Sequence, residues 1–234
     1  TYPNLEILCV DNNSKDNSLA ILQEYAKYDK RIVVLQESKP GAGHARNLAL
    51  RHATGKYITF VDSDDFIEED AIERLVAVAT RYHVDAVVYG IDQFDDQTGM
   101  FSPSPWSVVK FRIPARRVFR AAEITNFYTY LVGFTVNKLY RASLLKESNI
   151  TFPEIGAHED LTFTYLALSA ARSIYYLDET LYHYRRAREG SLSDNTASQY
   201  SYMFEALLEL KKDLIERGLW EEHERNFANY AMHM

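Results

Sequence analysis

One cysteine, Cys9, is all the thiol chemistry in these 234 residues. It sits inside an apolar, strand-like run, so no internal disulfide can form and a reducing, cytosolic compartment is the default. No segment approaches the roughly 20 consecutive apolar residues that a membrane span needs. Cations are in deficit: 26 Lys and Arg against 33 Asp and Glu leave a net charge of −7. That balance argues against a general nucleic-acid surface, whose backbone contacts come from clustered Lys and Arg. The one basic run, Lys110 to Arg120, carries Arg112, Arg116, Arg117 and Arg120 and is local. Internal repeats, low-complexity tracts and obvious linkers are also missing. So is an initiating methionine: the chain opens at Thr1-Tyr2-Pro3-Asn4 and runs straight into a strand, from which we expect that sequence upstream is absent. What is present is a globular composition, 47% apolar and 25% charged, with 17 tyrosines and 12 phenylalanines. Aromatic-rich surfaces suit sugar or base stacking, although ordinary core packing explains most such residues.

The first 90 residues alternate strand and helix signals. Glu6 to Val10 reads as a strand, followed by a polar loop and a helix with Leu19, Leu22, Tyr25 and Ala26 at helical spacing. A strand over Ile32 to Leu35, a helix from His44 to His52 closed by Gly55, a strand over Tyr57 to Val61, a helix over Glu69 to Tyr82 and a strand over Asp85 to Tyr89 complete the series. Such alternation over short connections predicts a parallel sheet covered on both faces by helices. From Asp92 to Pro114 a hairpin or excursion is expected. A helix over Ala121 to Leu131, a strand over Asn137 to Tyr140 and helices over Ala142 to Glu147 and Leu161 to Ala171 follow. Two short strands, Ile174 to Leu177 and Leu181 to Tyr184, precede a C-terminal helical pair, Gln199 to Gly218 and Trp220 to Met234.

Three carboxylates, Asp62, Asp64 and Asp65, close the third strand. At the end of a buried strand they repel one another and resist desolvation unless a cation or paired donors hold them. Magnesium and manganese take carboxylate oxygens, and magnesium usually keeps one or two of them plus the phosphates of a substrate. The competing reading is a solvated Asp-rich turn that caps the next helix. Asp11 and Asn12, after the first strand, can hydrogen-bond a base edge or a ribose at the sheet mouth where open α/β folds hold ligands, while Asp16 to Ser18 suffice for capping. Gly41 and Gly43 precede a helix with Arg46 in its first turn, which permits close backbone approach to a phosphate or ribose or is a plain turn. Asp160, at the start of an apolar helix, is either a general base held ionised by the helix dipole or simply a complement to that dipole. Tyr182 to Ser193 packs His183, Arg185, Arg186 and Arg188 before a Gly-Ser turn, either a mobile diphosphate clamp or a solvated basic loop.

Taken in order, these stretches resemble one family. Val-Asp-Asn-Asn-Ser with Lys15-Asp16-Asn17-Ser18 is followed by Gly-x-Gly-x-Ala-Arg-Asn and by Gly-Lys-Tyr-Ile-x-Phe-Val-Asp-Ser-Asp-Asp. Asn137-Lys138-Leu139-Tyr140, Glu159-Asp160 and Tyr-Arg-Arg with Gly-Ser-Leu-Ser complete the set. The combination, over about Leu5 to Ser193, is similar to a family 2 glycosyltransferase of the GT-A fold. The nearest subgroup is the bacterial enzymes that build capsule, lipopolysaccharide or exopolysaccharide. The resemblance implies a Rossmann-like three-layer α/β/α architecture with a mainly parallel central sheet and added C-terminal helices. It implies a nucleotide-sugar half over 1–92, an acceptor half over 93–198, with Phe127 to Phe134 and the loop before Asp160 on the acceptor side, and terminal helices over 199–234.

It also implies roles. Asp11 and Asn12 would contact the base or ribose of a nucleotide-diphosphate sugar, a UDP-sugar above all. Gly43 and Arg46 would support the donor site. Asp62 and Asp64 would be the acids of the metal motif for Mn2+ or Mg2+, with Asp64 the direct ligand. Asp160 would be the base that activates a saccharide or lipid-linked saccharide acceptor. His183, Arg185 and Arg186 would belong to the loop closing over the diphosphate, with His183 a candidate third metal ligand. The implied setting is the cytoplasm, at the inner face of the membrane or free of it, as monomer or homodimer, with no nucleic-acid partner. Two departures stand out. Family members begin with a strand ending in Pro-x-Tyr-Asn and a helix that form the base-binding wall, and neither is present here, so a sheet lacking a central strand and a weakened or catalytically silent donor site are expected. Asn12 also stands where aspartate is common.

Overall fold

The computed structural model of the chain describes residues 1–105, 107–186 and 196–233. Its first four elements are β1 (Ile7–Asp11), α1 (Ser18–Tyr28), β2 (Ile32–Gln36) and α2 (Ala42–His52). β1 and β2 pair in parallel as a two-stranded sheet. β3 (Tyr57–Thr59), β4 (Phe66–Ile67), α3 (Ala71–Tyr82), β5 (Ala86–Asp95), β6 (Met100–Pro103) and β7 (Val118–Phe119) follow. A 3-10 turn at Ala121–Glu123 leads to α4 (Phe127–Tyr130), β8 (Lys138–Arg141), α5 (Ala142–Glu147) and α6 (Glu159–Ala170). β9 (Ile174–Arg186), α7 (Thr196–Glu216) and α8 (Trp220–Met232) complete the order.

The main sheet has seven strands, with the path β3-β8-β5-β9-β4 and with β6 and β7 attached to β5 and β9. β5 is its axis. The first six residues of β5 are buried, and its side chains alternate between two cores, as a strand's period of two requires. Ala86 and Val88 face a core completed by α4 to α8, whereas Val87, Tyr89 and Ile91 face one completed by α3. α3 presents Ala71, Leu75 and Ala79, four residues apart and all at most 1% exposed, which is the stripe a helix needs to cover one sheet face. α6 has nine buried residues in succession from Leu161 to Ser169, so it lies inside the molecule and is enclosed by α5 and α7.

The three-layer α/β arrangement is the expected one, but the sheet is mixed. β1–β2 and β5–β9 are parallel, while β3–β8, β5–β8, β4–β9, β5–β6 and β7–β9 are antiparallel. The reversal arises after β5. The chain leaves through the β5–β6 hairpin instead of a crossover helix, so β8 can return against both β3 and β5, and an antiparallel return needs no crossover. The two strands read at Ile174 and Leu181 are one continuous strand, with a register shift against β5 at Tyr89–Ile91 that absorbs the polar Asp178-Glu179 pair. The helix read over Ala121 to Leu131 is broken at Asn126, whose φ of 62° is left-handed. α2 ends at Ala53, with an extended backbone, and not through Gly55.

Candidate active site

Three chain segments converge on Arg46. Its guanidinium donates to Asp62 Oδ1 at 2.8 Å and to Glu159 Oε1 at 2.9 Å, and it lies 5.5 Å over the ring of Phe152. The second turn of α2, the loop after β3 and the start of α6 are thereby tied at one point. The Arg46 side chain is only 16% exposed, and burial opposes its charge, but Asp62, Asp160 and Glu159 around it outweigh that and hold the guanidinium charged. Asn47, next along α2, clamps the same region: its Nδ2 donates to Phe152 O at 2.8 Å and its Oδ1 accepts from Phe152 N at 2.9 Å.

Gly43 explains how α2 comes so close. A Cβ built there would stand 2.9 Å from Glu159 Cγ and 3.4 Å from Phe152 Cβ, so a side chain would push Glu159 away from Arg46. In this structure the missing side chain serves that contact between α2 and α6. Gly41, at φ 125°, supplies the turn that starts the helix.

Asp160 follows Glu159 in the first turn of α6. Its Oδ1 accepts the neighbouring Leu161 amide, at 2.8 Å. Burial first, and then the Glu159 and Asp62 charges, push its carboxyl up to about 7 against the pull of Arg46 and the Leu161 amide. A carboxyl balanced near neutrality can take a proton in one step and release it in the next.

The acids after β3 divide their tasks. Asp62 faces Arg46. Asp65 points the other way, accepting from the Tyr182 hydroxyl at 2.6 Å and the Arg185 amide at 2.9 Å. Burial raises its carboxyl to about 6 in spite of those two donors, and Asp64 and Asp62 add to the rise. The Tyr182 hydroxyl also accepts from the Asp62 amide at 3.2 Å, so β9 shapes the acidic turn from behind. Among the described residues no three His, Cys, Asp and Glu side chains form a complete metal cage. A hard cation that keeps one or two carboxylates and takes its remaining oxygens from substrate phosphates needs no such cage.

The other residues named from the sequence are placed as follows. Asp11 is buried at the end of β1. Asn12 spends its whole amide on the protein: Oδ1 accepts from Gly41 N at 2.7 Å, and Nδ2 donates to Lys39 O at 2.6 Å and Glu37 O at 3.1 Å. It ties the loop after β2 to the loop after β1. His183, Arg185 and Arg186 lie in β9 and not in a loop; the remainder of the expected clamp, residues 187–193, lies outside the described residues. His183 is buried, with Nδ1 2.6 Å from Asp92 and Nε2 3.1 Å from Glu68, so both ring nitrogens are engaged. Arg185 pairs with Asp96 through two contacts, at 2.5 and 3.0 Å.

Glu159, Asn47 and Tyr182 were quoted in the sequence only as parts of motifs. Glu159 meets Gly43 and Arg46 only in the folded chain, since 113 residues separate it from Arg46.

Among the described residues no helix is long and apolar enough to cross a membrane. The family model described as glycosyl transferase family 2 matches residues 1–148. The putative glycosyltransferase EpsH of Bacillus subtilis is 35% identical over 188 residues, covering 79% of this chain and 53% of EpsH. The poly(ribitol-phosphate) beta-N-acetylglucosaminyltransferase TarS of Staphylococcus aureus is 28% identical over 221 residues, covering 93% of this chain and 36% of TarS. A crystal structure of S. aureus TarS residues 1–349 in complex with UDP-GlcNAc superposes with a TM-score of 0.72 at 25% identity, over 90% of this chain and 57% of that one. The chain thus spans about half the length of EpsH and about a third of TarS. With the family model covering more than half of its residues, and with Arg46, the Asp62 turn and the Glu159-Asp160 pair meeting in one place, the chain belongs to glycosyl transferase family 2.

Proposed function

We propose that the chain carries the catalytic site of an inverting glycosyltransferase, moving a sugar from a nucleoside-diphosphate sugar to an acceptor hydroxyl in bacterial surface-polysaccharide synthesis. The observation that carries this is the Arg46 bridge, because it puts the acids after β3 beside a carboxyl poised near neutrality. Asp64 and Asp62 would hold Mn2+ or Mg2+, which when bound neutralises charge on the leaving diphosphate. Asp160 takes the proton of the acceptor hydroxyl. That oxygen bonds to the anomeric carbon from the face opposite the diphosphate, and the electron pair of the broken carbon–oxygen bond leaves with the diphosphate. Arg46 fixes the distance between the two acidic centres, so alignment and preorganised charge supply the rate. The structure of a relative with UDP-GlcNAc supports a uridine donor.

The test is transfer from a panel of nucleotide sugars with Mn2+, beside calorimetric binding of UDP. Asp160→Asn is expected to bind UDP as the unaltered chain does and to lose transfer, and Asp64→Ala to lose Mn2+-dependent UDP binding. Normal turnover by Asp160→Asn, or unchanged UDP affinity in Asp64→Ala, would refute the corresponding assignment. UDP binding without transfer in the unaltered chain would favour a silent donor-binding module.

A further inference from the structure

A buried lysine stands close to Asp160 and has no place in the scheme above. Lys138, in β8, is fully buried. No carboxylate lies against it among its contacts. Its Nζ donates to the backbone carbonyls of Val132, at 3.1 Å, and Phe134, and to Asn137 Oδ1 at 2.5 Å. Asn137 is held in turn, its Nδ2 donating to Tyr89 O at 2.9 Å. The main chain of Lys138 is fixed as well, since Thr59 Oγ1 donates to its carbonyl at 2.9 Å from β3.

The two carbonyls that Lys138 gathers flank Gly133, and Gly133 rests on α6. A Cβ added there would come within 3.1 Å of Leu161 Cα and 3.2 Å of its Cβ and Cγ. Leu161 is the residue whose amide holds Asp160. A continuous chain of contacts therefore runs from the lysine through the 132–134 loop to the first turn of α6.

An ammonium in such a place is costly, because its hydrogen-bond partners among the described residues are three neutral acceptors in place of water. A methionine would fill similar space without that cost, so the cation calls for an explanation in the site it faces. The charged groups facing Asp160 are Glu159 on α6, Arg46 on α2, Asp62 after β3 and, from β8, Lys138. Burial lowers the Lys138 ammonium to about 7, and the Asp160 charge is what resists that fall.

We propose that Lys138 is a positioning residue for sugar transfer: its side-chain nitrogen, donating to the carbonyls on either side of Gly133, seats that loop on Leu161 and so fixes Asp160 where it meets the acceptor hydroxyl. This rests on the reading of Asp160 as the base. It also gives the Asn-Lys dipeptide of the Asn137-Lys138-Leu139-Tyr140 motif a function distinct from donor binding.

The experiment compares Lys138→Met, Gly133→Ala and Asp160→Asn in transfer and in calorimetric UDP binding with Mn2+. Lys138→Met is expected to bind UDP with unaltered affinity and to lose roughly 100-fold in kcat, the scale of a 1 Å misplacement at a reacting centre. Gly133→Ala displaces the loop with Lys138 intact, so it should lower kcat and leave UDP affinity unaltered. Wild-type kcat in Lys138→Met overturns the proposal. If Lys138→Met fails to fold, Gly133→Ala decides: a lowered kcat with intact UDP binding upholds positioning through the loop, and an unaltered kcat overturns it. Full turnover by Asp160→Asn would instead remove the base on which the proposal rests. An inactive Asp160→Asn beside a fully active Lys138→Met would overturn the lysine's role alone.

Discussion

Replacing Asp160 by asparagine should make the protein more stable while it stops sugar transfer, and the gain should depend on pH. The Asp160 carboxyl ordinarily titrates at 3.8 and is pushed up to about 7 in the folded chain. The folded state therefore holds a proton that the unfolded chain has already released. Stability from this group is fully present below about 3.8, is lost progressively as pH rises, and is gone above about 7. A difference of about 3 pH units, at about 1.36 kcal/mol each, sets a ceiling of about 4 kcal/mol for the cost of the ionised form. About 1 to 2 kcal/mol of this is already incurred at pH 5, because the unfolded chain is ionised there. Asparagine carries no such cost. Urea unfolding of the variant and the unaltered chain at pH 5 and pH 9 should show the variant's advantage growing by about 2 to 3 kcal/mol over that interval. Comparing two proteins at each pH cancels the titrating groups that do not feel Asp160; Lys138, whose ammonium the Asp160 charge supports, does not cancel. In the transfer assay the same variant should lose about 100- to 10,000-fold, the usual contribution of a positioned base. A stability difference that stays flat from pH 5 to pH 9 would show that the Asp160 carboxyl titrates normally and that the site does not hold it near neutrality.

Four further outcomes are expected. In the unaltered chain kcat should fall about tenfold per pH unit below about 7 and level off above it, as a base that must be deprotonated requires; a profile flat from pH 5 to 8 excludes Asp160. Arg46→Met leaves Asp62 and Glu159 facing each other without a cation and should cost about 3 kcal/mol in urea unfolding; a loss under about 1 kcal/mol would mean that the bridge carries little. Gly43→Ala must displace Glu159, because the new Cβ would lie 2.9 Å from its Cγ, so thermal unfolding should report about 1 to 3 kcal/mol of destabilisation together with a lower kcat. Asn12→Ala removes three hydrogen bonds between two loops and should cost about 1 to 2 kcal/mol at this partly exposed position, read from urea unfolding.

Most elements of the first 90 residues were legible because short helices and strands alternate there with sharp polar punctuation, and α3 falls within two residues of its expected bounds; the two-residue β4 was too short to read. The strand directions were not legible. Alternation implies crossovers only while it lasts, and nothing in Val136 to Arg141 says that β8 will slip back between β3 and β5. The continuity of β9 was hidden by Asp178 and Glu179, whose polarity reads as a turn but is absorbed by the register shift against β5. At the site the chemistry-bearing types, Asp62, Asp64, Arg46 and Asp160, stood out by clustering near element ends. Their pairings did not, because Arg46 and Glu159 are separated by 113 residues and only the folded chain brings them together. Asn12 was misleading for the opposite reason: its amide matches a ligand's needs and a loop's needs equally well, and here the loop takes it.

The Arg46 guanidinium joins a carboxylate after β3 to one at the start of α6. On the proposed reaction, such a strut would set a fixed span between the acidic turn and the helix that carries Asp160. Variation in donor or acceptor would then fall to the surrounding loops, while a change at the strut would alter the reaction for every substrate at once.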